Sequence, residues 1–136
     1  MTERPGQNEA PLLLVFSLTG APSGRNRAKR LCLLALEAHG AEIIDVRSIV
    51  PLDEELIYRS VRKTSRVVVA HEDTFTMGFG GEVATRIAQN CFEHVDAPVV
   101  RVAAKDSFVP SASNLELMVL PSVEDLRRGV EQVLNY

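Results

Sequence analysis

Residues 43–82 decide how this chain folds, and they read IIDVRSIVPLDEELIYRSVRKTSRVVVAHEDTFTMGFGGE. Two short apolar segments, Ile43–Val46 and Val67–Ala70, have the length and β-branched content of buried strands. Between them, Asp53 can cap a helix whose first turn carries the acidic residues Glu54 and Glu55. A glycine cluster after the second segment opens another helix. The stretch therefore predicts two parallel strands joined by a crossover helix.

The rest of the chain continues this alternation of strand and helix. Apolar runs and cap signals predict strands at 12–18, 43–46, 66–71 and 99–103, and helices that begin near Asn26, at Asp53, at Gly81 and at Ser122. Segment 104–121 is predicted to be irregular, and Phe92 and Val123 are predicted to face inward. Four such alternations predict an α/β fold with three layers, α/β/α, and a mainly parallel sheet of about four to five strands.

Composition indicates a folded, soluble domain. Of 136 residues, 46% are hydrophobic and 24% are charged, and the net charge of −3 argues against nucleic acid or a polybasic membrane contact. The polar residues 1–10 predict a flexible tail ahead of one domain over 11–136, with no secretory or membrane-spanning segment. Cys32 and Cys91 have no close spacing, so we expect buried thiols and a reducing, cytoplasmic compartment.

Three motifs in the opening stretch resemble the C-terminal domain of the transketolase superfamily. They are D-x-R-x-x-x-P-L-D-E-E from Asp45, R-V-V-V-x-H-E from Arg66, and T-x-G-F-G-x-E from Thr76. The resemblance is closest to the beta subunit of the thiamine-diphosphate-dependent 2-oxo acid dehydrogenases of the pyruvate or branched-chain type. It implies that the strands lie in the order second, first, third, fourth. Family members also carry an antiparallel strand beside the Ile43 strand, where this chain has only MTERPGQNEA, so we expect that edge to be open.

The resemblance also implies a cofactor and partner chains. In that superfamily, thiamine diphosphate and Mg²⁺ lie between two other domains, which supply the metal-binding motif and the activating glutamate. This chain alone is therefore expected to bind neither group and to contribute no catalytic and no metal-ligating residue. Its expected partners are chains that carry the cofactor-binding domains, with a homodimer as a further expectation.

Candidate ligand contacts lie at the carboxyl ends of the predicted strands, where open parallel sheets bind their ligands. His71 and Glu72 can form an acid–base pair, or His71 can simply hydrogen-bond within a turn while Glu72 is solvated. Gly78 and Gly80 precede a helix whose amides can receive an anion, or they can supply the positive φ of a tight turn. Both alternatives remain open for each pair.

The loop after the first strand offers a second candidate site. Ser17, Thr19, Ser23 and Asn26 can donate hydrogen bonds to a phosphate, and Arg25 can add a charged fork. The segment resembles the phosphate loop of flavodoxin-like flavin reductases. Glycine-rich and hydroxyl-rich loops are also common at such positions without a ligand.

The segment before the last helix offers a candidate interface. Asp106 to Pro110 resembles the family's D-x-P-x-P stretch, and LPSVED at 120–125 resembles its closing motif. In the dehydrogenases this end of the domain lies near a subunit interface. The candidate contact residues are apolar, and they either meet a partner or pack over a sheet edge: Phe108, Leu115, Leu117 and Met118.

The sequence therefore predicts a stand-alone assembly or accessory domain of a thiamine-diphosphate-dependent 2-oxo acid dehydrogenase beta subunit or transketolase-like enzyme, not catalytic by itself. The alternative is a small flavodoxin-like oxidoreductase that binds flavin or a nucleotide at the Ser17–Asn26 loop. A third is a regulatory domain that binds an anionic metabolite at the same loop.

Overall fold

Four parallel strands form the sheet. The computed structural model describes residues 12–17 and 41–136. The strands are β1 (Leu13–Ser17), β2 (Glu42–Val46), β3 (Val67–Thr74) and β4 (Val100–Ala104). They lie side by side in the order β2-β1-β3-β4, and every pairing is parallel. The predicted strand order and the parallel sheet are therefore confirmed.

The described helices follow the strands, and two of them begin at caps that the sequence predicts. Their bounds are α1 (Glu54–Thr64), α2 (Phe79–Cys91), α3 (Ser113–Val119) and α4 (Val123–Leu134), with a 3-10 turn at Phe92–His94. Asp53 caps α1 by accepting the backbone N–H of Leu56 at 3.1 Å. Ser122 caps α4 by accepting the N–H of Asp125, whose carboxylate accepts the N–H of Ser122 in return.

The sheet has an apolar core on each face. Val68 and Ala70 of β3 pack with β4 and with the buried side of α4. Val67 and Val69, the alternate residues of the same strand, pack with α1 and α2 on the opposite face. Helices therefore cover both faces of a parallel sheet, which confirms the three-layer α/β/α architecture.

Helix α4 lies directly on the sheet because Gly129 has no side chain. A Cβ atom at this position would be 2.6 Å from Cγ2 of Val102 and 3.4 Å from Cγ1 of Val100. Real side chains do not approach that closely, so only glycine permits this spacing. This contact positions α4 alongside β4. Leu126, Val130 and Val133 form the side of α4 that is buried against the sheet.

Some predicted bounds are wrong. Strand β3 continues to Thr74, three residues beyond His71, and α2 begins at Phe79 instead of Gly81. Glycine is a poor helix former, so the first turn of α2 is not apparent from residue preferences. The segment predicted to be irregular, 104–121, contains the two-turn helix α3.

Two side chains that were predicted to be buried are exposed. Phe92 is 76% exposed because α2 ends at Cys91 and Phe92 lies in the 3-10 turn that follows. Val123 is 41% exposed because it is the first residue of α4, whereas the buried side of that helix starts at Leu126. Cys91, by contrast, is buried as predicted.

Several predictions concern residues that lie outside 12–17 and 41–136. They are the tail at 1–10, the helix that begins near Asn26, Cys32, and the loop that follows Ser17. Within the described ranges, no helix is both long enough and apolar enough to cross a lipid bilayer.

Candidate functional site

The carboxyl ends of β1 and β3 bring two predicted site residues together. Ser17, the last residue of β1, pairs in register with His71 of β3. The sequence predicts His71 at the end of its strand. In the structure it lies inside β3, which continues for three more residues. The other candidates from the first loop, Thr19, Ser23, Arg25 and Asn26, lie outside the described residues.

His71 is a buried side chain that packs against the start of α2. It is only 4% exposed. A Cβ atom on Gly80 would lie 2.2 Å from both Cδ2 and Nε2 of its ring, and one on Gly78 would lie 2.7 Å from Cε1. In the described part of the chain, neither ring nitrogen has a hydrogen-bond partner. The expectation of a hydrogen bond within a turn is therefore wrong: the imidazole fills a space that the two glycines leave open.

The surroundings of His71 favour the neutral form of its ring. Burial is the main cause that lowers the pKa of His71, and the nearby Arg101 lowers it further. The carboxylate of Asp73 acts in the opposite direction and raises that pKa, with a smaller effect than burial. Asp73 is exposed and accepts the backbone N–H of Thr74 at 2.8 Å, whereas Glu72 is half-buried.

The glycine cluster serves close packing and does not supply positive φ. Gly78, the N-cap of α2, has an extended backbone with φ −70° and ψ 155°. The residue in the left-handed region is Met77, with φ 61°. The prediction that Gly78 and Gly80 supply the positive φ of a tight turn is therefore wrong. Glycine is required at both positions because the ring of His71 lies against them.

The N-terminus of α2 has no side-chain cap, and Glu82 in its first turn pairs with Arg86 at 2.7 Å. Anion binding at this helix end stays a prediction.

A polar clasp joins the turn after β3 to the segment after β4. The carboxylate of Asp106 accepts the backbone N–H of Thr76 at 2.8 Å and its hydroxyl at 2.6 Å. These two hydrogen bonds, the hydroxyl first, hold the pKa of Asp106 below its usual range. Next to the clasp, the backbone N–H of Phe75 donates to the carbonyl of Ala104 at 3.0 Å. The sequence did not predict this contact, although Thr76 and Asp106 each stand in a stretch that resembles the family.

Arg101 of β4, which the sequence predicts near the end of the fourth strand, contacts the turn that follows β3. Its Nη1 donates to the carbonyl oxygen of Phe75 at 3.0 Å, and its guanidinium carbon lies 4.0 Å from the centre of the Phe75 ring. The same Nη1 would be 3.2 Å from a Cβ atom on Gly81. Arg101 therefore lies on the face of the sheet that α2 covers.

A polar network holds α1 against α2. The Tyr58 hydroxyl donates to Glu54 at 2.8 Å and accepts from Nδ2 of Asn90 at 3.0 Å. Glu54 also pairs with Arg86 of α2. Burial is the main cause that raises the pKa of Tyr58 to about 12, and its hydrogen bond to Glu54 adds to the effect. The phenol is thus a fixed structural link between the helices.

The predicted interface residues lie on an apolar surface, which we call the α3 surface. It comprises Phe108, Val109, Leu115, Leu117 and Met118, whose exposed fractions run from 97% for Phe108 to 48% for Leu115. The backbone N–H of Lys105 donates to the carbonyl of Val119 at 3.0 Å, so α3 is tied to the end of β4. Phe108 and Val109 are largely exposed, whereas Leu115 and Leu117 are about half covered, and contact of this surface with a partner stays a prediction.

The described residues show no cluster of side chains that could bind a metal ion by themselves. No group of three or more His, Cys, Asp and Glu side chains that could hold a metal occurs within 12–17 and 41–136. No chemical step through thiamine diphosphate follows from these residues.

Comparisons with known proteins agree with the motifs. The family model described as "Transketolase, C-terminal domain" matches residues 28–126. "Pyruvate dehydrogenase E1 component subunit beta-1, mitochondrial" from Oryza sativa subsp. japonica is 43% identical over 100 residues, which are 74% of this chain and 27% of the relative. "Pyruvate dehydrogenase E1 component subunit beta" from Rickettsia conorii is 43% identical over 95 residues, which are 70% of this chain and 29% of the relative.

A solved structure extends the likeness to the fold. The protein titled "Split gene transketolase, inactive beta4 tetramer" superposes with a TM-score of 0.65 at 25% sequence identity, covering 94% of this chain and 41% of that one. The chain spans less than a third of the two dehydrogenase subunits that it matches. The family model nevertheless matches residues 28–126, which are most of this chain and include the three motifs and the strands β2, β3 and β4. The chain therefore belongs to the transketolase C-terminal domain family.

Proposed function

We propose that the chain is the C-terminal assembly domain of a thiamine-diphosphate-dependent 2-oxo acid dehydrogenase beta subunit or of a transketolase-like enzyme. In this proposal it holds partner chains together and does not turn over substrate by itself. The observation that carries the proposal is the α3 surface on a domain whose relatives are named as beta subunits of pyruvate dehydrogenase.

The composition of the α3 surface supports a protein–protein contact. Soluble monomers rarely expose several large apolar side chains together, and such groups mark interaction sites. Fully burying a side chain such as Leu, Met or Phe contributes about 1.5–3 kcal/mol. Phe108, Leu117 and Met118 are each more than half exposed, so a partner that covered them would gain much of this energy.

The neighbouring hydrogen bonds support a surface of fixed shape. The clasp between Thr76 and Asp106 anchors the chain two residues before Phe108. The bond from Lys105 to Val119 anchors the end of α3. A pre-organised surface loses less conformational entropy when a partner binds.

His71 supports an architectural rather than a catalytic role for the end of β3. The ring is buried, its pKa is lowered mainly by that burial, and it packs against Gly78 and Gly80 at the start of α2. A general acid or base must reach the atom that it protonates. In this proposal, thiamine diphosphate and Mg²⁺ are bound by other domains, which supply the catalytic groups.

Co-purification tests the proposal. The chain is expressed with an affinity tag beside chains that carry the cofactor-binding domains, and bound chains are identified by mass spectrometry. Leu117→Asp with Met118→Asp should abolish the association, because two charges would be buried at the contact. Phe92→Asp is the matched control, since it places a charge on an exposed apolar residue beyond the α3 surface.

Three results would contradict the proposal. One is equal capture of partners by the double variant and by the Phe92→Asp control. Another is turnover of pyruvate by the purified chain alone. The last is retention of flavin mononucleotide through purification, which would favour an oxidoreductase that uses the Ser17–Asn26 loop.

A further inference from the structure

Strand β4 is the outermost strand on its side of the described sheet. It pairs with β3, and in the described residues no strand lies beyond it. The carbonyl of Ala104 accepts the N–H of Phe75, so this carbonyl points towards β3. Successive residues of a strand direct their N–H and C=O groups to alternate sides, so Val100 and Val102 also bond towards β3. The backbone groups of Arg101 and Ala103 therefore point to the open side, where an edge strand can take up another strand.

A groove runs along this open side. Its volume is about 360 Å³, and it is lined by residues 100–103 of β4 and by Phe75, Asp125, Arg128, Gly129 and Gln132. Because Gly129 contacts Val102 closely, the backbone of α4 lies near β4. The groove thus offers backbone hydrogen-bonding groups along its floor and helix side chains along one wall.

Two arginines flank the groove from opposite faces of the sheet. Arg101 lies on the α2 face, where Phe75 fixes its guanidinium by one hydrogen bond and by ring stacking. A guanidinium has five N–H donors, so this bond leaves capacity for a carboxylate. Arg128 lies on the α4 face, where it pairs with Asp125 at 2.9 Å. Hydrogen bonds from Ser122 are the main causes that lower the pKa of Asp125, and the charges of Arg128 and Lys105 lower it further.

The charged side chains that line the groove are Arg101, Arg128 and Asp125, a net charge of +1 on a chain whose net charge is −3. Beside the groove, Lys105 lies near Asp125 and Asp106 lies near Arg101, and these two further residues carry opposite charges. A second copy of the chain, paired edge to edge, would bring its own Arg101 and Arg128 to the joint and place like charges side by side. An acidic strand would meet the opposite sign.

We propose that the open edge of β4 binds an extended, acidic segment of a partner protein as a fifth strand of the sheet. The backbone groups of Arg101 and Ala103 form the ladder, and Arg101 and Arg128 select carboxylate side chains on the two faces. A partner segment as long as β4 spans about 16 Å at the usual rise of a strand. This inference does not depend on the proposed function, because it uses a different surface.

The test uses a probe peptide of alternating valine and glutamate, as long as β4 and blocked at both ends. It is titrated into the nitrogen-15-labelled chain up to about 1 mM, the range of weak recognition. We expect the amide signals of Arg101 and Ala103 to shift together and become protected from hydrogen exchange. The same peptide N-methylated at alternate residues should not bind, because it cannot donate to the edge strand.

Variants of the chain test each part of the site. Ala103→Pro removes an outward-facing N–H while leaving the bonds to β3, so binding should be lost. Arg101→Gln and Arg128→Gln should each weaken binding about fivefold to tenfold, the effect of one charge-assisted hydrogen bond. Arg127→Gln is the matched control, because Arg127 is exposed on the same helix but does not line the groove.

The outcomes separate the alternatives. Loss with Ala103→Pro and with the N-methylated probe, but not with Arg127→Gln, supports strand addition. Equal binding of a valine–lysine peptide would overturn the acidic partner. Concentration-dependent dimers whose Arg101 and Ala103 amides are protected without a peptide would assign the edge to a second copy. No shift at the highest peptide concentration would overturn the site.

Discussion

The contact between His71 and Gly80 makes one substitution sharply testable. Gly80→Ala would place a Cβ atom 2.2 Å from both Cδ2 and Nε2 of the buried imidazole. His71 lies within β3 and Gly80 lies in the first turn of α2. Because both backbones are held by the hydrogen bonds of these elements, neither can easily move to relieve the clash. We expect the substitution to destabilise the fold.

The expected magnitude is the difference between two effects. Overpacking a well-packed core costs about 1–3 kcal/mol. Replacing glycine by alanine in a helix returns up to about 1 kcal/mol. The net loss should be about 1–2 kcal/mol, which in urea corresponds to a midpoint lowered by roughly 1 M. The measurement is urea unfolding, followed by circular dichroism at a fixed pH.

The adjacent glycine supplies the matched control. Gly81→Ala would bring a Cβ atom to 3.2 Å from Nη1 of Arg101, the far end of a long side chain. A shift of a few tenths of an ångström relieves this contact and keeps the hydrogen bond of Arg101 to Phe75, so the gain in helix propensity should leave the protein unchanged or stabilise it by up to about 1 kcal/mol. The two variants differ by one position in the same helix.

A double variant isolates the contact itself. His71→Ala alone should destabilise the protein by leaving a cavity, but it should remove most of the penalty of Gly80→Ala. The loss in the double variant should therefore be clearly smaller than the sum of the two single losses. Additive losses, or equal stability of Gly80→Ala and Gly81→Ala, would refute the argument that the imidazole occupies the space above Gly80.

Three further predictions concern stability. Tyr58→Phe should lower the free energy of unfolding by about 1 kcal/mol, because it removes two hydrogen bonds between α1 and α2, and thermal unfolding checks this. Met77→Gly should raise the urea midpoint slightly, because glycine adopts the left-handed backbone without the cost of roughly 1–2 kcal/mol that other residues bear. The lowered pKa of His71 means that its contribution is full above its unfolded pKa of about 6.5 and is lost as the pH falls below that value. Urea midpoints between pH 5 and pH 7.5 should therefore decline on acidification, and the decline should be smaller in His71→Gln.

The layers of the fold were predictable because local signals agreed with the global arrangement. The valine run at 67–69 is long enough for one strand, and its alternate residues face the two cores. Asp53 and Ser122 indicate helix starts because each side chain can accept the backbone N–H of the residue three positions later. Strand order came from the family resemblance, since no local pattern specifies which strands become neighbours.

The candidate site was less predictable because its contacts are distant in sequence. A polar residue after an apolar run suggests the end of a strand, yet His71 is buried in β3 because Gly78 and Gly80 leave room for it. The clasp joins Thr76 to Asp106, thirty residues apart, and only the folded sheet brings them together. Helix α3 was missed because its apolar side chains face outward.

The strand order carries a consequence for biosynthesis. Among the described strands, β1 leaves the ribosome first, and it lies inside the sheet between residues 42–46 on one side and 67–71 on the other. Neither neighbour has left the ribosome when β1 emerges, and each later pairing closes a long loop. A nascent chain that stops before residue 67 would leave one side of an apolar strand bare, a state prone to aggregation. Productive folding must therefore wait until β3 has been synthesised.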